Sequence, residues 1–339
     1  MAVTLKDLAE HVGRSVTTVS RALAGYDDVS PHTRDQVVKA AQELGYEPNT
    51  AARQLQKRRS DTLVLILPPI FPHISDPFFS ELISGVVEQS NQHGLTLLVS
   101  SSPGVENQTD FYLKFIRSRQ ADGFILIRTE RQDPRIELLQ EQDYPFVAFG
   151  RTETNNDYPF VDDDGEAGIG LIVNHLVELG HTRLAFIAEP LNFTIPYHRF
   201  RGFKRTLESH GLPLDDSLVV EGGYRQRFGQ LAGHQLLDRV NPPTAIVTCN
   251  DLLTLGAMKA AQERNLTIGQ DVSITGYDDI MLAEFANPSL TTIHLPAHKI
   301  GTTLCKMLAN LLEGKPLEER QIILQPELVV RQSTGPVKE

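Results

Sequence analysis

From residue 61 onward, short apolar runs alternate with longer segments of helical periodicity, and this alternation restricts the fold more than any other feature. The runs TLVLILP, LTLLVSS, GFILI and PFVAFG lack the polar alternation of strands that keep one face in water. They predict parallel strands that are covered on both faces and joined by crossover helices. The pattern restarts after Asp164 with RLAFIAE, LVVEG, TAIVTC and VSITGYDD. We therefore predict two successive doubly wound α/β units.

The segments between the runs define the helices of these units. We predict helices over residues 77–93, 107–119, 134–141, 164–179, 196–210, 226–239 and 252–264. A chain of 339 residues is too long for a single core. A small N-terminal unit and a body that itself divides in two are expected.

The N-terminal segment has the start and stop signals of three short helices. Thr4 and Ser15 are predicted N-cap residues, and Gly13 ends the first helix before the second begins. The Ser30-Pro31 pair opens a third helix. The residues predicted to form the core of this unit are Leu5, Leu8, Ala9, Val12, Val19, Ala22, Leu23, Val37, Val38, Ala41 and Leu44.

The second predicted helix carries small side chains at the end where a DNA-reading helix approaches base edges. Two helices joined by a glycine turn form a helix-turn-helix, whose second helix enters the major groove with its N-terminus first. The methyl groups of Val16 and Thr17 can contact thymine, and Arg21 can bind guanine or a phosphate. A purely structural helical hairpin is the alternative.

Residues 49–57 follow as a short helical segment that has almost nothing to bury. Asn49 is its N-cap and Leu55 its only large apolar residue, so the helix should be marginal in isolation. Two copies packed together in a minor groove would place Leu55 between base steps and a basic run beside phosphates. A solvated basic linker explains these residues equally well.

Charge is distributed unevenly along the chain. The net charge is −11, but residues 1–60 hold nine Lys and Arg against seven acidic residues, which leaves −13 on the remainder. A net positive charge is thus found only in the segment predicted to bind DNA. No stretch approaches about 20 consecutive apolar residues, and the chain opens directly into an amphipathic helix without a signal sequence. We expect a cytoplasmic protein with no membrane partner.

Polar and aromatic side chains follow the predicted strands, at the end where parallel sheets bind ligands. Carboxylates, amides and arginines can bind vicinal hydroxyls, and aromatic rings can stack on a sugar ring. Each residue also has a purely structural interpretation as a cap, a turn, a surface charge or a core side chain. The residues concerned are Asp76, Phe78, Phe79, Arg199, Tyr224, Asn250, Asp251 and Asp278.

Motifs of catalysis are missing from the sequence. There is no P-loop, no GxSxG elbow and no GxGxxG after a strand. The segment VDDDGE is better explained as a helix cap than as a magnesium site. His73, His175, His181 and His198 lack metal-ligand spacing and are expected on the surface or in loops. Cys249 and Cys305 are expected to be buried free thiols. We predict a binding protein that is not an enzyme, with no metal and no cofactor.

The chain resembles the lactose/galactose repressor (LacI-type) family from end to end. VTLKDLAEHVGRSVTTVSRAL, VSPHTRDQVVKAAQELGYEPN and AARQL are similar to its DNA-binding headpiece and hinge helix. DPFF, VDDDGEAGIGLIVNHLVELGHTRLAFI, RFRGF, CNDLLTLGAMKAA and ITGYDDIMLAEFANPSLTTI are similar to its effector domain. The resemblance implies an all-α helix-turn-helix headpiece with a hinge helix, followed by an α/β core of two subdomains like that of periplasmic binding proteins.

The resemblance also implies domain boundaries. The headpiece would span residues 1–48, the hinge helix and linker 49–60, and the effector-binding and dimerisation core 61–339. Within the core, the N-subdomain would comprise about 61–161 and 293–323, and the C-subdomain about 162–290 and 324–332. The helix from Pro296 to Leu312 would rejoin the N-subdomain.

The DNA-contact set follows by matching positions. Val16, Thr17 and Arg21 take the base-reading positions, and Leu55 is the wedge. Val16 and Thr17 differ from the tyrosine and glutamine of the lactose repressor, so the operator sequence stays open. The full predicted set is Thr4, Ser15, Val16, Thr17, Ser20, Arg21, Thr33, Asn49, Ala52 and Leu55.

The effector set follows in the same way. Arg199, Asn250 and Asp278 match effector-contacting positions, and Tyr224 falls where the family often has an aromatic residue. Gly150 departs from the aspartate of many sugar-responsive relatives, and Arg151 is expected to compensate. The full predicted set is Asp76, Phe78, Phe79, Arg151, Arg199, Tyr224, Asn250 and Asp278.

The resemblance implies a homodimeric repressor that binds a pseudo-palindromic operator. A mono- or oligosaccharide effector would close the core and melt the hinge helices. Alternatives are a purine or phosphosugar corepressor, a sugar-binding receptor without DNA function, and a sugar-metabolising enzyme. The tail RQSTGPVKE has no heptad repeat, so a coiled-coil tetramer is not expected.

Overall fold

The structure of the protein, a computed structural model, describes residues 3–46, 59–67, 75–101, 108–154 and 156–338. Two compact units are present, Met1–Ser60 and Asp61–Glu339. The predicted hinge helix at 49–57 lies outside the described residues, as does His73. No helix in the described parts of the chain is both long and apolar enough to cross a membrane.

The N-terminal unit contains α1 (Leu5–Val12), α2 (Val16–Leu23) and α3 (Pro31–Leu44). The predicted N-cap at Thr4 is confirmed as a capping box, in which the Thr4 N–H donates to the Asp7 carboxylate over 2.8 Å and the Thr4 hydroxyl accepts from the Asp7 N–H. Gly13 ends α1 with φ 63°, a left-handed conformation that suits glycine. These local signals fix the turn between the first two helices.

The prediction that Val38 of α3 belongs to the core is wrong. Val38 is 40% exposed, and Ala40 is buried in its place. Val37, Ala40 and Ala41 lie on one face because residues three and four positions apart share a face, whereas Val38 is rotated about 100° from Val37.

The second unit alternates strands and helices. In chain order it contains β1 (Thr62–Leu67), α4 (Pro77–Gln92), β2 (Thr96–Ser101), α5 (Gln108–Arg117), β3 (Gly123–Leu126), α6 (Pro134–Glu141), β4 (Phe146–Phe149), β5 (Phe160–Asp163), α7 (Gly165–Glu178), β6 (Leu184–Ala188), α8 (Thr194–Ser209), β7 (Val219–Glu221), α9 (Gln226–Leu237), β8 (Ala245–Thr248), α10 (Asp251–Glu263), β9 (Ser273–Thr275), α11 (Met281–Phe285), β10 (Thr292–His294), α12 (Ala297–Leu312), β11 (Gln321–Leu324) and β12 (Glu327–Val329).

These strands form two parallel sheets, which confirms the predicted doubly wound fold. The first sheet has the order β11-β5-β4-β3-β1-β2 and the second β7-β6-β8-β9, while β10 pairs antiparallel with β12. In each sheet the strand order reverses next to an early strand, at β1 and β3 in the first and at β6 and β8 in the second. Ligands of such sheets bind beyond the strand ends at these points.

The prediction that every apolar run is covered on both faces is wrong for β2. This strand lies at the edge of the first sheet and is partly exposed, with Leu98 39% exposed. The run LTLLVSS resembles a central strand in composition. Edge position depends on strand order, which an apolar run does not encode.

We call the first sheet with α4, α5, α6 and α12 the N-subdomain, and the second sheet with α7 to α10 the C-subdomain. Helix α12 returns to the N-subdomain late in the chain and crosses α4 closely. A Cβ atom at Gly301 would lie 1.9 Å from the Leu82 carbonyl oxygen, and one at Gly85 would lie 2.1 Å from the His298 carbonyl oxygen. Only hydrogen fits at these two positions, so the glycines allow the late helix to close the core.

Gly301→Ala should lower the free energy of unfolding of the core by about 2–3 kcal/mol, because a methyl group pushes the two helix backbones apart. Urea denaturation followed by circular dichroism measures this change. The matched control is Gly170→Ala on α7, where a Cβ would meet only the Thr206 hydroxyl at 3.3 Å. Equal effects of the two substitutions would contradict the packing argument.

Candidate DNA-contact and effector sites

The first turn of α2 presents predicted DNA-contact residues to solvent. The Ser15 hydroxyl accepts the Thr18 N–H over 3.1 Å and so caps the helix. Ser15 and Thr17 are exposed, and Val16 is 43% exposed. An exposed, capped helix N-terminus with small side chains is suited to close approach to base edges or phosphates.

Arg21 is held within the headpiece. Its guanidinium lies 2.5 Å from the Asp28 carboxylate and 4.9 Å from the centre of the Tyr26 ring. Both members of the ion pair are about half exposed, so this contact orients the side chain and contributes little stability. The predicted contacts Asn49, Ala52 and Leu55 lie outside the described residues.

The core contains a cavity of about 40 Å³ where the strand-order reversals of the two sheets face each other. From the N-subdomain, Asp76 lies beyond β1 and Arg128 beyond β3. From the C-subdomain, Glu189 follows β6 and Asn250 lies beyond β8. Four polar side chains from two subdomains thus converge on one space, which defines the candidate effector site.

A buried arginine lies at the C-subdomain side of the cavity. The Arg199 guanidinium is 3.3 Å from the Asp278 carboxylate and 3.7 Å from that of Asp163. It also donates to the Cys249 carbonyl over 2.5 Å and lies 3.6 Å from the centre of the Tyr277 ring. The surrounding acceptors compensate for the burial of this charge.

A second arginine bridges the two subdomains. The Arg128 guanidinium lies 2.8 Å from the Glu189 carboxylate, and each side chain is less than a tenth exposed. The Asn250 amide also donates to Glu189. The same guanidinium lies 5.0 Å from the centre of the Phe79 ring and 4.5 Å from that of Tyr224. Aromatic faces therefore border the ion pair on two sides.

Six of the eight predicted effector residues line the cavity, namely Asp76, Phe78, Phe79, Arg199, Asn250 and Asp278. Tyr224 is adjacent through its contact with Arg128. Arg151 lies elsewhere, 3.2 Å from Asp162 and beside a groove along α7 and α8. The lining residues that sequence reasoning missed are Arg128, Thr129, Phe149, Glu189, Phe193, Ile195 and Pro196.

Two of the missed residues carried a signal in the sequence. Arg128 directly follows the run GFILI, and Glu189 ends the run RLAFIAE. Both satisfy the rule of polar residues at strand ends that selected Asp76 and Asn250. The aromatic residues Phe149 and Phe193 carried no such signal, because apolar side chains at strand ends are usually core.

Backbone geometry explains the departure at Gly150. This residue is buried with φ 108°, and a Cβ atom there would lie 2.3 Å from the Thr129 hydroxyl oxygen. A side chain at position 150 would therefore be strained and would clash. Arg128, rather than the expected Arg151, supplies an arginine to the cavity.

Burial dominates the electrostatics around the cavity. It raises the pKa of Asp76 to about 6 and that of Asp251 to about 7. A further charge without a partner would be costly in this environment.

The described residues include no group of three or more His, Cys, Asp or Glu side chains able to hold a metal ion. Cys249 and Cys305 are buried free thiols, as expected. His181 lies in the loop between α7 and β6, in line with the expectation of surface or loop histidines, but it is buried and contacts the Thr244 and Ser273 hydroxyls at 2.9 Å. Its two ring nitrogens find partners in the core, which offsets the cost of burial.

Comparisons with known proteins find relatives of both the N-terminal unit and the core. Residues 4–49 match the lacI family of bacterial regulatory proteins, and residues 173–334 match the periplasmic binding protein-like domain. The HTH-type transcriptional regulator AglR of Rhizobium meliloti (strain 1021) is 34% identical, covering 99% of this chain and 95% of that protein. The HTH-type transcriptional repressor CytR of Escherichia coli (strain K12) is also 34% identical, covering 98% and 96%.

Among solved structures, the lac repressor dimer bound to operator and the anti-inducer ONPF has a TM-score of 0.87 at 29% identity, covering 99% of this chain and all of that one. The complex of the transcriptional regulator CelR with cellobiose has a TM-score of 0.75 at 29% identity, covering 98% and 99%.

A helix-turn-helix unit and a two-subdomain binding core within one chain define a DNA-binding transcriptional regulator. Relatives of this identity and coverage place the protein more narrowly. The chain belongs to the lacI family of bacterial regulatory proteins.

The buried carboxyl of Asp251 should make stability depend on pH. Its folded pKa of about 7 exceeds the unfolded value near 3.8, so the folded state binds more protons between these values. Its contribution to stability is therefore greatest below pH 4 and declines as the pH rises toward 7.

Asp251→Asn should reduce proton uptake on folding between pH 4.5 and 6.5 by up to about one proton. Urea denaturation of both proteins at a series of pH values measures this difference. The control is Asp271→Asn at a surface carboxylate that pairs with Lys338. An unchanged pH slope in Asp251→Asn would show that Asp251 is ionised throughout this range.

Proposed function

We propose that the protein is a homodimeric repressor of carbohydrate-utilisation genes, which acts in the cytoplasm without catalysis and responds to an uncharged mono- or oligosaccharide. The observation that carries this proposal is the cavity between the two subdomains. Carboxylate, amide and guanidinium groups converge there beside aromatic rings, and these are the groups that bind vicinal hydroxyls and sugar ring faces.

The charge pattern of the cavity favours a neutral effector over a phosphosugar corepressor. Among the described lining residues, Asp76, Glu189 and Asp278 are acidic, and only two arginines oppose them. Each arginine already has a carboxylate partner, since Arg128 pairs with Glu189 and Arg199 with Asp278. A phosphate group would therefore compete with buried carboxylates for these cations.

The known ligands of similar proteins support this class of effector. CelR is described in complex with cellobiose, and a lacI-family regulator from Enterococcus faecium is described with bound ribose at 28% identity and a TM-score of 0.70. The lac repressor structure contains a dimer on its operator. We extend a dimeric, operator-bound state and a saccharide effector to this chain.

The proposed switch couples the effector cavity to the hinge. Two headpieces read the halves of a pseudo-palindromic operator through Val16, Thr17 and Arg21, while two copies of the segment 49–57 pack together at its centre. Effector binding shifts the N-subdomains and separates the hinge helices, which then melt. Reversing occupancy almost completely requires a preference of about 5.5 kcal/mol for one conformation, which several hydroxyl hydrogen bonds can supply.

Asp278→Asn should abolish the saccharide response and spare operator binding. The change keeps the shape of a cavity residue but removes the carboxylate beside Arg199. We expect saccharide affinity to fall at least about tenfold, as for the loss of a charged hydrogen-bond partner.

The measurement is operator binding by fluorescence anisotropy with and without each member of a panel of cellobiose, ribose, glucose and glucose 6-phosphate. The matched control is Asp271→Asn, since that carboxylate is exposed and pairs with Lys338. A normal saccharide response in Asp278→Asn would refute the site. A response to glucose 6-phosphate alone would refute the neutral class.

Leu55→Ala should reduce specific operator affinity at least about tenfold, because the wedge that offsets base unstacking is shortened. Nonspecific DNA binding and saccharide affinity should remain unchanged. Sites selected from a random DNA library supply the operator, and anisotropy at fixed salt gives the affinity. Leu231→Ala, at a leucine that is 60% exposed on α9, is the control. Unchanged operator affinity in Leu55→Ala would rule out the wedge.

A further inference from the structure

The loops that follow β3 and β6 join the two subdomains beside the cavity. The Thr194 N–H donates to the Thr129 carbonyl over 2.9 Å, and the Arg131 N–H donates to the Asn192 carbonyl over 3.0 Å. Glu130 and Phe193 form an antiparallel bridge between these bonds. The loops at the carboxyl ends of the two sheets are therefore hydrogen-bonded to each other through their backbones.

The ion pair between Arg128 and Glu189 reinforces this connection next to the cavity. Its 2.8 Å contact joins a residue after β3 to a residue after β6, and both side chains are almost fully buried. Separating the subdomains would leave both charges without their partner, and breaking a buried ion pair is strongly unfavourable. Because Asn250 donates to Glu189, the pair is also linked to a predicted effector contact.

Hydrogen bonds from neighbouring residues hold the backbone at Arg128 in place. Arg128 has φ 52°, and its carbonyl accepts from the Arg135 guanidinium over 2.9 Å. Arg135 is buried and pairs with Asp133 at 2.6 Å, and that carboxylate also accepts the Glu130 N–H. The loop backbone is therefore held in place, so a displacement of the Arg128 guanidinium has to come from its side chain.

The cavity beside Arg128 has a volume of only about 40 Å³, which leaves a saccharide too little room while the guanidinium keeps its present position. The Arg128 guanidinium lies against the rings of Phe79 and Tyr224, and so covers aromatic surface that a sugar ring could otherwise contact. An effector must therefore displace a side chain or separate the subdomains before it enters.

We propose that Arg128 is an internal competitor of the effector and that its ion pair with Glu189 is a latch, which keeps the empty cavity closed. The proposal rests on the proposed function in taking this cavity as the effector site. The effector displaces the guanidinium from the two aromatic rings and breaks the latch, so Arg128 sets the affinity threshold for saccharides. A ligand that makes too few contacts to replace the ion pair is rejected.

The first test needs no effector. Arg128→Gln in the full-length, ligand-free protein should speed amide hydrogen exchange at Arg131 and Thr194 about tenfold, because these bonds open when the subdomains separate. Exchange within β6 and β8 should not change. The matched control is Arg183→Gln, which removes an arginine that pairs with Asp215 at 3.0 Å within the C-subdomain.

A double-mutant cycle separates the pair from a general loss of stability. Glu189→Gln should speed the same amides, and the double variant should add less than the sum of the two single effects. Additive effects, or exchange in Arg128→Gln that equals the wild type, would overturn the latch.

The second test uses cellobiose in isothermal titration calorimetry. Arg128→Gln should bind cellobiose about tenfold more tightly than the wild type, since the internal competitor is gone. Weaker binding would show that Arg128 contacts the saccharide and would overturn the competition. If neither protein binds cellobiose or any other saccharide of the panel, the proposal of a saccharide effector is refuted. The hydrogen-exchange experiment still tests the latch in that case.

Discussion

The reversal of strand order within each parallel sheet is the constraint on which the binding core depends. At a reversal, the helices that follow two neighbouring strands leave on opposite sides and open a crevice at the carboxyl ends. Here the reversal at β1 and β3 faces the reversal at β6 and β8, so Asp76 and Arg128 oppose Glu189 and Asn250. The site exists because two such crevices meet. Neither sheet alone would enclose it.

Enclosure sets the chemistry of the site. Ionised groups taken out of water must be compensated, and the cavity compensates Arg199 with Asp278 and Arg128 with Glu189. Each pair uses the charges that would otherwise attract an anion. The raised pKa of Asp76 follows from the same burial. A binding site of this kind favours hydroxyl groups, because they exchange hydrogen bonds without adding net charge.

Local signals predicted the elements well, and position within the fold explains the failures. The caps at Thr4 and Ser15 depend on neighbours three residues away, so the sequence displays them. The exposed edge strand β2 and the location of Arg151 away from the cavity depend on residues distant in the chain. The polar residues Arg128 and Glu189 could have been selected from the sequence, because each lies at the end of a predicted strand. Their pairing could not be predicted, because it joins two subdomains.

The sequence by itself determined the helix-turn-helix unit, the two parallel α/β units and six of the residues that line the cavity. Periodicity, caps and strand-end polarity are local properties, and the family motifs are colinear with them. Only the tertiary structure decided which charges meet across the cavity, why Gly150 cannot carry a side chain, and how little space Arg128 leaves. These features depend on distances between residues that are remote in sequence, and packing alone fixes such distances.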